Sequence, residues 1–189
     1  KISTKPDSSI VTEADLASEK IILTNIEKEF PEDIIFSEEA GLNSDKRTEG
    51  TYIWIVDPLD GTTNYANNFP CYCVSIGRGR FRGDGTIEVV AGGIIDPSED
   101  SLYLAVKGGG ATCNGKPTSV AKPRAFKDCF LATGFYYDQG EVLKKAIKRF
   151  EAVSLSCQSV RRDGSAALDM ARTAAGIYDG FWEYGLSPW

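Results

Sequence analysis

The first long helical pattern of the chain lies in the segment that follows Thr12. Apolar side chains recur there at the spacing of one helix face until Pro31: Ile22, Ile26 and Phe30. Thr12 and Asp15 stand three residues apart, the spacing of a capping box with Asp in place of the usual Glu or Gln. The pattern therefore predicts a helix that begins after Thr12 and ends before Pro31.

Short apolar runs bounded by turn residues predict strands along much of the remaining chain. Single strands are expected at 33–39, 52–57, 129–135 and 180–185, with a polar loop over 41–50. Between 71 and 113 successive runs are separated by glycine, proline, asparagine and aspartate, which predicts an antiparallel meander. Within it, Gly108-Gly109-Gly110 lacks the Lys-Ser/Thr of a phosphate loop and is interpreted as a hairpin turn.

Two more helices are expected in the second half of the chain. One lies near 141–151, where apolar residues occupy one face, and the other begins at Gly164-Ser165 and closes at Gly176. Strands thus come in runs while the helices are isolated. This order predicts a layered α+β fold rather than a doubly wound sheet.

Composition and charge exclude several classes of function. The net charge is −6, which argues against direct contact with nucleic acid because such surfaces are normally basic. No apolar run approaches the roughly 20 residues that a membrane span needs. The 189 residues contain no histidine, so Ser-His-Asp and Cys-His mechanisms and His-ligated zinc are excluded.

The five cysteines show neither a CxxC pair nor the spacing of metal ligands: Cys71, Cys73, Cys113, Cys129 and Cys157. We interpret them as buried, reduced thiols, which is typical of a cytoplasmic protein. Acid-base and metal chemistry, if present, must therefore come from carboxylates, hydroxyls, lysines and the backbone.

The segment WIVDPLDGTTN, from Trp54 to Asn64, is the strongest candidate for chemistry. If Pro58 turns the chain at the end of the strand, Asp57, the carbonyl of Leu59 and Asp60 can converge on one point. Hard cations such as Mg²⁺ prefer such oxygen ligands. The alternative is an ordinary capping turn with exposed acids, because DPxDG is common turn chemistry.

The residues that follow add features suited to an anion. Gly61 lets the backbone approach a bound anion closely, and the amides of Gly61, Thr62 and Thr63 can form a phosphate-binding helix start or nest. The Thr62 hydroxyl could orient a water molecule. Glu38-Glu39, at the end of the preceding predicted strand, would strengthen this interpretation if they lie nearby.

Two further places carry possible binding residues. Around Gly164, Ser165 and Ala166, small side chains at a helix start leave the amides open to a ligand, although close helix packing would need the same residues. Glu183 stands among aromatic residues at a strand end. It could accept hydrogen bonds from substrate hydroxyls or simply pair with an arginine.

Together these motifs resemble the inositol monophosphatase family. Trp54-Ile-Val followed by Asp57-Pro-Leu-Asp-Gly-Thr-Thr-Asn64 resembles the first signature of that family. The acidic pair after Ser37, the segment IVTEAD before α-helical residues, and the later segments RDGSAALD and GFWE resemble other conserved parts, in the same order. The resemblance covers nearly the whole chain and implies the layered α/β sandwich shared with fructose-1,6-bisphosphatase.

The resemblance implies a role for each matching position. The metal ligands would be Glu38, Asp57, the Leu59 carbonyl and Asp60. Glu38 and Thr62 would position the attacking water, with Asp15 supporting Thr62 from behind. The phosphate, together with its metals, would contact Glu38, Leu59, Asp60, Gly61 and Thr62. The alcohol part of the substrate would contact Gly164, Ser165, Ala166 and Glu183.

The implied activity is lithium-sensitive hydrolysis of a phosphate monoester, with two or three Mg²⁺ ions per site. Myo-inositol monophosphate is the expected substrate. Sister activities on histidinol phosphate, fructose-1,6-bisphosphate or a 3′-phosphonucleotide stay open. So does a role as a protein partner of the transcription and ribosome-assembly machinery, which some bacterial relatives have. Family members are commonly dimers, so a cytoplasmic homodimer is expected.

The sequence also departs from the family pattern. The second family signature begins with Trp-Asp, whereas this chain ends at Trp189, and the usual N-terminal helix is missing too. Residues 1–189 are therefore expected to form one domain that is truncated at both ends and lacks the C-terminal layer. By itself such a chain is expected to be a poor phosphatase, because one metal-binding aspartate is absent. Ser37 replaces a glycine, and Asn67-Asn68 replace a frequent histidine.

Overall fold

The computed structural model describes residues 2–4, 10–135 and 140–189. The α-helices in these ranges are α1 (Glu13–Glu29), α2 (Thr62–Ala66), α3 (Glu141–Ser154) and α4 (Ala166–Ala174). The strands of the first half are β1 (Ile2–Thr4), β2 (Ile10–Thr12), β3 (Ile34–Ser37), β4 (Gly41–Leu42), β5 (Tyr52–Asp60) and β6 (Cys73–Phe81). The later strands are β7 (Ile87–Asp96), β8 (Ser101–Val106), β9 (Gly110–Cys113), β10 (Lys116–Pro117), β11 (Phe130–Thr133), β12 (Ser159–Arg161) and β13 (Gly180–Trp182).

The larger sheet has eight strands in the order β10-β9-β8-β7-β6-β5-β3-β4. Every neighbouring pair is antiparallel except β3 and β5, which run parallel. The meander predicted over 71–113 is thereby confirmed. The glycine run forms the β8–β9 turn as predicted, with Gly108 and Gly110 at positive φ, a conformation that glycine adopts without a steric penalty.

The smaller sheet has three parallel strands in the order β12-β11-β13. Helices α3 and α4 connect these strands in sequence, and α4 contacts strands of both sheets. The prediction of layered α+β architecture is confirmed. No helix in the ranges that the structure describes is both long enough and apolar enough to cross a bilayer.

Helix α1 begins and ends where the sequence predicted. The capping box is formed, since Thr12 accepts a hydrogen bond at the helix start and the Asp15 side chain accepts one from the Thr12 backbone. Ile26 packs with Ile35 and Val56, which covers one face of the larger sheet. Nearer the start of α1, the Ser18 hydroxyl donates to the Pro58 carbonyl, which holds this part of the helix beside the end of β5.

The end of β5 differs from the prediction. The strand was expected to stop at Asp57 with a turn at Pro58, but it continues to Asp60 with a register shift between Asp57 and Asp60. Pro58 has no N–H to donate to the ladder, and the amide of Leu59 donates to Asp57 Oδ1 at 3.0 Å. The irregular ladder is a bulge, a feature that commonly occurs next to active sites.

Two smaller predictions also need correction. The polar loop expected over 41–50 contains β4, which pairs with Phe36 and Ser37 of β3. The five cysteines are all free thiols, but only Cys71 and Cys73 are buried. The strand β4 could not be predicted from the sequence, because two residues are too few to show the alternation of apolar and polar side chains that indicates a strand.

Candidate active site

A cavity of about 240 Å³ brings together the predicted site residues. All of them except Asp15 line its wall: Glu38, Asp57, Leu59, Asp60, Gly61, Thr62, Gly164, Ser165, Ala166 and Glu183. They come from the ends of β3, β5 and β13 and from the starts of α2 and α4. The resemblance predicted this grouping, although some of these residues are more than a hundred positions apart.

Asp57 has two other carboxylates of the cavity lining, Glu38 and Asp60, as electrostatic neighbours. Burial, and then the charges of Asp60 and Glu38, raise the pKa of Asp57 to about 9. The backbone amide of Glu38 donates to the Val56 carbonyl at 3.1 Å, which fixes the residue beside β5. Carboxylates whose charges raise the pKa of Asp57 in this way are close enough to repel it, so the space beside Asp57 favours a cation.

Thr62, which lines the cavity, forms a partly buried contact with Asp15, which does not. The Thr62 hydroxyl lies 3.0 Å from Asp15 Oδ1 and 2.9 Å from the Leu59 carbonyl, and it can donate to either acceptor. Asp15 is fully buried, and its other oxygen accepts from the amide and hydroxyl of Thr12 at 2.8 and 2.6 Å. Asp15, the N3 residue of the α1 capping box, therefore also contacts Thr62.

Gly61 occupies a position that no other residue would fit. Its φ is +88°, and a Cβ there would lie 2.8 Å from the Cys71 carbonyl oxygen. It caps α2, the short helix that begins at Thr62. Glycine is needed here for both its positive φ and its small size.

Asp60 joins the two sheets through the start of α4. Its Oδ2 accepts hydrogen bonds from the Ser165 hydroxyl and the Ala167 amide, each at 2.7 Å. Burial raises the pKa of Asp60, while these two hydrogen bonds lower it. Ser165, which was predicted to contact the substrate alcohol, thus has a second partner that the sequence did not indicate.

Glu183 lines the cavity together with Gly61 and Thr62 at the α2 helix start. Burial, and then the charge of Asp60, raise its pKa to about 7, while Arg162 opposes this shift. A side chain at Gly134 would overlap the Glu183 carboxylate, so this carboxylate packs directly against the backbone of Gly134. A carboxylate held in this way can accept hydrogen bonds from hydroxyl groups in the cavity.

Two charged residues that line the cavity, Arg162 and Asp169, were given no role from the sequence. Arg162 brings a positive charge into an acidic cavity. Asp169 is buried, its Oδ1 has no hydrogen-bond partner in the described structure, and burial raises its pKa to about 7, with Asp163 as the next contributor. Asp169 lies one helical turn after Ser165. This i, i+4 spacing places both residues on the same side of α4, and it could have indicated from the sequence that Asp169 lies near Ser165.

A second cavity, of about 300 Å³, lies against the larger sheet. Its described lining contains no aspartate, glutamate, lysine or arginine, and most of its wall is apolar, including Ile94, Tyr103 and Leu104. It offers no group for acid-base or metal chemistry. The acidic cavity is therefore the candidate active site.

The donor atoms of the acidic cavity fit Mg²⁺. In the part of the chain that the structure describes, no group of three or more His, Cys, Asp or Glu side chains is arranged as a metal cluster. Mg²⁺ commonly uses one or two carboxylates, with water and phosphate oxygens completing its coordination. Glu38, Asp57, Asp60 and the Leu59 carbonyl supply only hard oxygen donors, the kind that Mg²⁺ binds.

Comparison with known proteins assigns the chain to a family. The model of the inositol monophosphatase family matches residues 1–189, and the chain belongs to this family. An inositol monophosphatase structure from Anabaena superposes with a TM-score of 0.86 at 43% identity, covering 95% of this chain and 68% of that one. The fold class expected from the resemblance is confirmed.

Two curated relatives carry different names. Phosphatase IMPL1 (chloroplastic) of Arabidopsis thaliana is 38% identical over 191 residues, which cover 100% of this chain and 50% of the relative. Nus factor SuhB of Vibrio cholerae is 39% identical over 185 residues, which cover 98% of this chain and 67% of that protein. The chain thus spans half of the first relative's length and about two thirds of the second's.

Proposed function

We propose that the protein hydrolyses phosphate monoesters with the help of Mg²⁺, and that inositol monophosphate is its substrate. The observation that carries this proposal is the meeting of Glu38, Asp57 and Asp60 in one cavity with Thr62 and Glu183. Membership of the inositol monophosphatase family supports it. When bound, Mg²⁺ supplies the positive charge that the phosphate and its transition state need.

The residues of the site have different roles, either in cation binding or in orienting the attacking water. Glu38, Asp57, Asp60 and the Leu59 carbonyl hold the cations. Thr62 orients the attacking water with Glu38, because Asp15 fixes the direction of its hydroxyl at 3.0 Å. This assignment gives a role to Asp15, which is buried and does not line the cavity.

Other residues of the cavity lining recognise the alcohol. The α4 helix start at Gly164, Ser165 and Ala166 shares this lining with Glu183, which accepts hydrogen bonds from hydroxyl groups of the substrate. A polyol satisfies such acceptors and an aryl group does not. The polar wall therefore favours inositol phosphate over a simple aryl phosphate.

The proposal is tested by measuring phosphate release from a panel of esters with the purified full-length protein. The panel contains inositol, histidinol and sugar phosphates, a 3′-phosphonucleotide and an aryl phosphate, each with Mg²⁺, with EDTA, and with Mg²⁺ plus Li⁺. We expect turnover that requires Mg²⁺, falls with Li⁺ and is fastest on inositol phosphate. A preference for another ester would change the substrate, and turnover in EDTA would contradict the proposal.

A second candidate function follows from the relative named Nus factor SuhB. We propose that, in this alternative, the protein contacts protein components of the transcription machinery, since its charge of −6 disfavours RNA. Measuring how strongly wild type and the Asp57→Asn variant bind purified RNA polymerase would separate the two functions. Docking that survives this variant while phosphate release is lost would support a role independent of catalysis.

A further inference from the structure

One face of α1 carries three polar side chains that all point to the candidate active site. Asp15, Ser18 and Glu19 stand at i, i+3 and i+4, so they project from the same side of the helix. Farther along, the same face becomes apolar with Ile22 and Ile26, which pack in the core. The first turns of α1 are therefore polar on the side where an amphipathic helix normally buries apolar residues.

Each of the three side chains binds a different part of the site. Asp15 accepts from Thr62, and the Ser18 hydroxyl donates to the Pro58 carbonyl at 2.8 Å. Glu19 Oε1 accepts from the Ser37 hydroxyl at 2.5 Å and from the Ala40 amide at 2.9 Å. Helix α1 thus contacts Thr62, the bulge at the end of β5, and the turn over residues 38–40 that carries Glu38 and Glu39 (the acidic turn).

The contacts of Glu19 bracket the acidic turn. Residues 38–40 connect β3 and β4, and Ser37 pairs with Gly41 across this turn. Glu19 binds the residue just before the two glutamates and the amide just after them, while the Glu38 amide is held by Val56 on the other side. The backbone that carries Glu38 is therefore fixed on both sides.

Burial makes these contacts energetically important. Glu19 and Ser37 are both buried, so an unmet hydrogen bond at either one would not be replaced freely by water. A charged acceptor also forms stronger hydrogen bonds than a neutral one. A shorter or apolar side chain at position 19 would release the turn.

We propose that Glu19 is a positioning residue that holds the acidic turn so that Glu38 keeps the geometry required for cation binding. The inference rests on the proposed function, because it assigns Glu38 to the cation. Glu19 itself does not line the cavity. It acts through Ser37 and Ala40, and changes in groups that orient metal ligands typically weaken metal affinity by about 10–100-fold.

The test measures Mn²⁺ binding by calorimetry in the absence of substrate, and Mg²⁺-dependent phosphate release in parallel. The variants are Glu19→Ala, Glu19→Gln and Ser37→Ala, and the matched control is Glu27→Gln, an exposed position on the same helix. We expect Mn²⁺ affinity to fall about tenfold in Glu19→Ala. Glu19→Gln should recover much of it, because the amide oxygen still accepts both hydrogen bonds.

Ser37→Ala keeps the inference testable if Glu19→Ala does not fold, because it removes only one of the two contacts. It should weaken Mn²⁺ binding in the same direction but less. Unfolding in urea is measured for every variant, since a purely structural Glu19 would change stability and leave the affinity of the folded protein unchanged. Such a result, with Mn²⁺ affinity equal to that of Glu27→Gln, would overturn the inference.

The two measurements also separate this inference from the proposed function. Full-length wild-type protein that binds Mn²⁺ but releases no phosphate would overturn the proposed function, while weaker binding by Glu19→Ala would still support the positioning role. Wild-type turnover with unchanged binding in Glu19→Ala and Ser37→Ala would overturn the positioning role alone. A wild-type protein that binds no Mn²⁺ would overturn both.

Discussion

Asp60 Oδ2 lies 2.7 Å from the backbone amide of Ala167 and accepts its hydrogen bond. The contact joins the last residue of β5 to the first turn of α4, 107 positions later in the chain. Asp60 therefore has two functions in this account. One carboxylate oxygen caps a helix between the two sheets, and the residue also lines the candidate cation site.

The cap predicts a stability difference between two variants of Asp60. Asp60→Asn and Asp60→Ala both remove the charge, but only Asn retains an oxygen that can accept from Ser165 and Ala167. We expect metal-free Asp60→Asn to be more stable than Asp60→Ala by about 1 kcal/mol, the usual value of a helix cap. Urea unfolding with Asp45→Ala as an exposed control measures this; equal stability would show that the cap contributes nothing.

Glu183 predicts a difference between substrates. Replacing it with glutamine weakens an acceptor for substrate hydroxyls, and a polar group left unpaired in a site costs about 1–3 kcal/mol. Glu183→Gln should therefore lower kcat/KM for inositol phosphate more than for an aryl phosphate. The comparison of kcat/KM on the two esters is its own control, and equal losses would indicate that Glu183 is structural.

Replacing Gly134 should cause the same loss of selectivity between esters, because the new side chain would displace Glu183. A methyl group at this position would overlap the Glu183 carboxylate and displace it. We expect Gly134→Ala to raise KM for inositol phosphate and to leave aryl phosphate hydrolysis close to wild type. Gly109→Ala is the matched control, because a Cβ there meets its neighbours at 3.4 Å or more. Wild-type selectivity in Gly134→Ala would rule out the contact.

Asp169 predicts a pH dependence of stability. Its pKa in the folded protein is raised from 3.8 to about 7, so the folded state binds the proton more tightly than the unfolded state. Its contribution to stability is full below pH 4 and is lost as the pH rises to about 7.

The matching variant is Asp169→Asn, which cannot lose a proton. The free energy of unfolding of wild type should fall more steeply between pH 4 and 7 than that of the variant, by at least the roughly 1.4 kcal/mol that corresponds to one pKa unit. Parallel pH profiles from chemical unfolding would contradict the assignment.

Local features of the fold could be predicted from the sequence, because short-range chemistry determines them. The capping box of Thr12 and Asp15 involves residues three positions apart, and the β6–β9 meander follows from turn residues between apolar runs. The end of β5 was predicted wrongly because Pro58 is a strong turn signal. In the structure, the hydrogen bond between Leu59 and Asp57 lets a bulged strand continue past the proline.

Contacts between distant segments could not be predicted from residue spacing. The cap from Asp60 to Ala167 and the packing of Glu183 on Gly134 depend on how the two sheets meet, and no local pattern encodes that arrangement. The family resemblance did predict which residues would share a cavity. It gave no role to Glu19, Asp169 or Arg162, because their contacts become visible only in three dimensions.

We propose that Glu38, Asp57 and Asp60 bind the cations required for phosphate ester hydrolysis. The most direct test is a Mg²⁺ titration of phosphate release from inositol monophosphate by the full-length wild type and by full-length Asp57→Asn, with folding verified by circular dichroism. We predict saturable, Mg²⁺-dependent release by wild type and nearly complete loss in folded Asp57→Asn at every Mg²⁺ concentration. Wild-type kcat in that variant at saturating Mg²⁺ would contradict the account.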